Sequence, residues 1–74
     1  MNRIEIEAAI QKNLPFSVRM ADGHEYNVPH RDYIFLPPKG SFIIVADDEG
    51  RAHYLPLLTM TGLIYPRLLQ RESP

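Results

Sequence analysis

This chain has no cysteine, no excess of either charge and no long apolar run, and each absence removes a class of function. Without cysteine there is no disulfide to staple a small fold, and no thiolate to ligate metal or attack a substrate. Eight Lys and Arg against nine Asp and Glu leave a formal charge of −1, whereas general nucleic-acid binders carry a basic excess because phosphate contacts dominate their affinity. No stretch approaches the ~18 apolar residues of a membrane span, and no basic-then-apolar leader opens the chain, which points to the cytoplasm and away from a membrane. Glycine occurs only four times and never as a phosphate-cradling cluster.

What is present is a single small domain, 1–74, with 45% apolar residues. A domain this short sits near the lower size limit for a self-sufficient core, and its length implies a net stability of roughly 4–11 kcal/mol. So small a body cannot bury all of its apolar surface, which favours a homo-oligomer or an obligate partner.

Two acidic-glycine turns organise the chain: Asp22-Gly23 and Asp47-Asp48-Glu49-Gly50. Each separates segments of alternating or apolar character. Glycine there supplies the positive φ of a hairpin tip, and aspartate bonds its own backbone. Before them, residues 2–13 read as a helix: Asn2 is a good cap with Glu5 three residues on, and Ile6, Ala9, Ile10 and Leu14 form an apolar stripe. Pro15 ends it. Strands are expected over 16–65, with a short tail over 67–74. Phe16, Val18 and Met20 share one face of the first. An odd-length loop that includes His24 then sets Met20 opposite Tyr26 and Val18 opposite Val28, since a slip of one residue would put Glu25 on the apolar face. Pro29 breaks or bends the second strand. Tyr33–Leu36 is short, Phe42–Ala46 reads as the most buried strand, Arg51–Leu55 returns, Leu57-Leu58 forms a tight turn, and Met60–Tyr65 closes the sheet. The expected fold is mainly β with one N-terminal helix, a small antiparallel barrel of about five strands.

Candidate chemistry is thin. His24, His30 and His53 lack the paired ligand spacings of a metal centre, only His30 and Asp32 being close in sequence. His30-Arg31-Asp32 spells a kinase catalytic triplet, but Pro37 stands where that motif requires asparagine. Ser17, Ser41 and Ser73 lie in no nucleophile elbow, and the Asp47–Gly50 turn lacks the alternating ligands of a calcium loop. We therefore expect no enzyme activity and no cofactor. The aromatic residues either fill the core or, as in small β-barrels that bind single strands, stack bases beside cations. Arg31 with Tyr33 and Arg51 with Tyr54 are placed for the second role, and Arg19 adds a cation. For a protein partner or self-association, the apolar final segment offers Leu55, Leu57, Leu58, Leu63, Leu68 and Leu69.

A helix followed by short bent antiparallel strands resembles the Sm-like and SH3-like barrel class. Leu14-Pro15-Phe16-Ser17-Val18-Arg19-Met20-Ala21-Asp22-Gly23 is similar to the helix–proline–strand–turn opening of the bacterial Sm-like RNA chaperones, which implies single-stranded RNA or DNA as an alternative partner. The Tyr-Lys-His signature of those chaperones has no counterpart, because Leu55 and Pro56 follow Tyr54. Over most of its length the chain resembles short bacterial proteins of unknown function. The shared order is Pro15-Phe16-x-Val18, Asp22-Gly23, Val28-Pro29-His30-x-Asp32-Tyr33, a Gly40 turn and the turn at Gly50. That likeness implies the fold order and a bacterial or phage origin.

Overall fold

The computed structural model describes residues 1–66. Helix α1, Arg3–Gln11, is capped by the Asn2 side chain, which accepts a hydrogen bond from the Ile4 amide at 3.0 Å. It ends before Pro15 is reached. Asn13 takes φ 59°, a left-handed conformation that asparagine tolerates and that commonly follows a helix. Ile6 and Ala9 are fully buried and Ile10 packs beside them, as the apolar spacing predicts, while Leu14 lies beyond the helix and is partly exposed.

Six strands follow among the described residues, all paired antiparallel: β1 Phe16–Met20, β2 Glu25–Val28, β3 Ile34–Phe35, β4 Phe42–Ala46, β5 Ala52–Pro56 and β6 Met60–Ile64. They form two three-stranded sheets, ordered β2–β1–β6 and β3–β4–β5. Among the described residues no ladder closes these sheets into one barrel, so the expected single sheet of about five strands becomes six strands in two sheets. The chain changes sheet at Pro29 and changes back through the Leu57–Thr59 turn, after which β6 pairs with β1. The chain leaves β2 at one sheet edge, passes through a 3-10 turn at Arg31–Tyr33, and enters β3 at the edge of the other sheet. Proline has no amide donor for a ladder, so pairing stops there and the direction changes.

Both acidic-glycine turns are three-residue hairpin loops of one design. In the first, the Gly23 amide donates to the Met20 carbonyl at 2.9 Å and the Met20 amide to the His24 carbonyl at 2.9 Å. In the second, Gly50 and Asp47 make the equivalent bonds to Asp47 and Arg51 at 3.1 and 3.0 Å. Gly23 and Gly50 have φ 94° and 85°, the left-handed position that completes such a loop. The loop is thus odd in length as expected, but it comprises Ala21, Asp22 and Gly23, with His24 already in the ladder. Tyr26 therefore lies opposite Val18, and Val28 opposite Phe16. This register is two residues from the expected one. A shift of two preserves the face of every side chain, so the parity argument holds while the pairing differs.

The core lies between the sheets and under α1. Phe16, Val18 and Met20 of β1, Val28 of β2, Ile43 and Val45 of β4, Leu55 of β5 and Met60 of β6 are buried in it together with Leu57. Leu57 lies in the 3-10 turn Leu57–Thr59 that takes the place of the expected tight turn. Among the described residues no buried side-chain polar atom lacks a partner. Arg3 fixes the helix to the β3–β4 loop by donating to the carbonyls of Pro37 and Gly40, at 2.9 and 3.2 Å.

Candidate interaction face

The outward faces of the two sheets differ in chemistry. On the first sheet, Ser17 and Asn27 are partners across β1 and β2, with their side chains hydrogen-bonded at 2.7 Å. Arg19 and Glu25, the next outward pair, form an ion pair at 2.9 Å. Across β1 and β2 that face is polar and internally matched, as expected where a sheet meets water, and on β6 the partners of Ser17 and Arg19 are Ile64, partly exposed, and Gly62.

The second sheet offers no such match. Ile43 and Val45 point inward, so their neighbours Phe42, Ile44 and Ala46 point outward. Strand pairing sets Phe35 and Tyr54 on either side of Ile44, Pro56 opposite Phe42, and Ala52 opposite Ala46. Every outward position of the three paired strands is thus apolar or aromatic, and none is charged. Tyr54 is 61% exposed and Phe35 57% exposed. The Phe42 and Tyr54 rings are diagonal neighbours on β4 and β5 and stack at 4.7 Å between centroids, with 21° between planes. Gly40 makes room for this arrangement. It has φ 114°, and a Cβ there would lie 3.2 Å from the Phe42 ring. Leu58, 89% exposed, sits just past the end of β5 in the turn that follows Pro56.

This placement divides the leucines expected to meet a partner. Leu55 and Leu57 are buried core residues, turned inward by the strand alternation and by the 3-10 turn. Leu63 lies opposite Val18 on β6 and is half-buried against the core, and Leu58 alone of the described ones is prominently exposed. Leu68 and Leu69 lie outside the described residues. Phe35, Phe42 and Ile44 were not apparent as site residues from sequence. An unbroken apolar run such as Phe42–Ala46 looks like a strand covered on both sides, whereas among the described residues β4 is covered on one side only. The available signal was quantitative: so short a chain has too few elements to cover both faces of two sheets.

The residues expected to bind nucleic acid are dispersed. Arg19 is paired with Glu25 on the polar sheet. Arg51 binds the carboxylates of Asp47 and Glu49, at 3.0 and 2.6 Å. Tyr33 donates its hydroxyl to Asp48 at 2.8 Å, and this acceptor raises the phenol above its usual range. Arg31 starts the 3-10 turn beside a cleft formed with Ile34 and Phe35. Tyr54 stacks on Phe42, and its expected companion Arg51 is turned toward the acidic loop.

The three histidines are also apart, each beside an aspartate: His24 with Asp22 at 3.1 Å, His30 with Asp32 at 3.9 Å, and His53 with Asp47 at 2.9 Å. Among the described residues no three His, Cys, Asp or Glu side chains converge to hold a metal ion. The last pair spans the β4–β5 turn and was not visible as a short spacing. The Asp47 carboxylate accepts from the His53 ring and from the amides of Glu49 and Arg51, and these bonds hold it well below the usual carboxylate range, the His53 contact contributing most. Asp47 is therefore the organiser of this turn.

No helix among the described residues is long and apolar enough to cross a membrane. No family model, curated protein or solved structure matches the chain.

Proposed function

We propose that this protein is a non-enzymatic interaction module that engages protein through the outer face of β3–β4–β5, on a scaffold of the open SH3-like or Sm-like kind. The observation that carries the reading is the uncharged outward row Phe35–Ile44–Tyr54 with Phe42 and Pro56, set against the matched polar face of the other sheet. Solvent-facing apolar patches of this continuity mark interaction surfaces in soluble proteins. The bent passage from β2 to β3 supports the barrel-like scaffold, because it joins the edges of the two sheets in one continuous chain. Cytoplasmic location and a bacterial or phage origin belong to the same reading.

Single-stranded RNA or DNA is the weaker alternative. The guanidiniums of Arg19 and Arg51 already neutralise carboxylates, and the Arg3 guanidinium, beside the loop next to Phe42, is bonded to two backbone carbonyls and to Glu7.

The test is titration of dilute protein with an apolar fluorescent dye, alongside the variant Phe35→Ser/Tyr54→Ser. We expect the wild type to enhance dye fluorescence and the folded double variant to lose most of that enhancement. A dilute wild type that leaves the dye dark, or a variant that binds it equally, overturns the reading, as does salt-sensitive retention of single-stranded RNA with no protein association.

A further inference from the structure

The occupant of this face can be narrowed by its shape and by the charges at its two ends. We infer that it is a second copy of this chain, packed sheet on sheet about a twofold axis. This rests on the interaction-module reading and adds to it the identity and orientation of the partner.

A partner that adds a strand would need an open edge rather than a face. The edges of this sheet serve poorly. β3 is two residues long, and β5 ends at Pro56, which has no amide to donate. The face itself is uncharged and aromatic, so its complement must be another uncharged apolar surface. This molecule carries one, and a twofold contact requires a patch that complements itself. Flat sheet faces meet this requirement by interleaving side chains across ~10 Å, as in sandwich cores.

Charge then chooses the orientation. At one end of β4 the turn carries Asp47, Asp48 and Glu49 against Arg51 alone, an acidic end. At the other end the loop entering β4 carries Lys39; the Arg3 guanidinium beside it bonds the Pro37 and Gly40 carbonyls and is paired with Glu7 at 3.2 Å, so Lys39 supplies the net positive charge there. A twofold axis in the plane of the face and perpendicular to the strands lays the acidic end of each copy over the basic end of the other. The axis along the strands stacks carboxylates on carboxylates, which like-charge repulsion opposes. The two sheets are therefore antiparallel across the interface, with the Phe35–Ile44–Tyr54 row near the axis.

Size sets the strength. Three strands ~4.8 Å apart and five residues of ~3.3 Å give a plan area of about 250 Å². That is well under the ~800 Å² per partner of a standard stable interface. The association is accordingly weak, a monomer–dimer equilibrium in the micromolar range or above.

Sedimentation equilibrium of the full chain from about 5 μM to 1 mM tests this. The mass should climb from 8.5 kDa toward twice that value. Tyr54→Lys and Phe35→Lys, at exposed positions and checked for folding by circular dichroism, should each weaken association at least tenfold. Lys39→Glu should also weaken it, and Lys39→Glu combined with Asp48→Lys should restore it, which a parallel arrangement would not. A chain that stays monomeric at 1 mM while still lighting the apolar dye overturns the second-copy inference and leaves the interaction-module reading standing. A monomer that leaves the dye dark removes both. A dimer indifferent to Tyr54→Lys and Phe35→Lys places the contact elsewhere and overturns the inference.

Discussion

Ile43 and Ile44 are chemically identical neighbours on β4, and replacing each by alanine should give very different proteins. Ile43 is fully buried between the sheets, opposite Leu55, whereas Ile44 faces outward between Phe35 and Tyr54. Ile43→Ala removes three buried carbons and leaves a cavity in the core opposite Leu55, which costs about 2–5 kcal/mol. Against a total of roughly 4–11 kcal/mol for a chain of this length, that is a large share of the stability. At ~4–8 °C per kcal/mol for a domain of this size, the midpoint should fall by ~8 °C or more, and the variant is close to unfolding. Ile44→Ala loses only strand preference and contact with two exposed rings, at about 1 kcal/mol. Urea denaturation followed by circular dichroism at low micromolar protein, where dimer is scarce, measures both. Equal losses, or a larger loss at Ile44, would refute the assignment of faces on β4 and with it the proposed interaction surface.

Two further outcomes follow from the turns. Gly50→Ala meets open space but forces alanine to φ 85°, for a loss of about 1–2 kcal/mol. Gly40→Ala adds to such strain a 3.2 Å approach to the Phe42 ring, so thermal melts should show the larger loss there, together with weaker dye binding as the Phe42–Tyr54 stack shifts. Asp47→Asn should lower the urea midpoint at pH 7. The native carboxylate titrates below its unfolded value, so its contribution is complete above about pH 4–5 and disappears as the pH falls through the lower, folded-state range. The gap between wild type and variant should accordingly narrow steadily as the pH falls below about 4, and a gap constant from about pH 7 to pH 2 would show that its charge is not the source.

Much of the fold was legible in one dimension because it is written in local chemistry. Asn2 as helix cap, Gly23 and Gly50 at positive φ, Pro29 as the break in the second strand and the alternation Phe16–Val18–Met20 all act within a few residues of chain. Their consequences do not depend on what packs above them. The odd parity of the first hairpin was equally readable, since any even loop would have buried Glu25. Which odd register forms was not, because pairings two residues apart bury the same faces, and the position of Gly23 within the loop decides between them.

The candidate site was far less legible. Leu55 and Leu58 look alike in sequence, yet one is buried and the other exposed, because strand alternation and the 3-10 turn aim them differently. Asp47 and His53 become partners only when the turn folds back. The apolar content of Phe42–Ala46 was determined by sequence alone, as were the neutral charge, the absence of thiols and the order of helix, strands and turns. Tertiary structure alone decided which side of that strand is covered. The crossings at Pro29 and at Leu57–Thr59 distribute the strands over two sheets that bury one face each against the other, and no described element is left to cover Phe35, Ile44 and Tyr54.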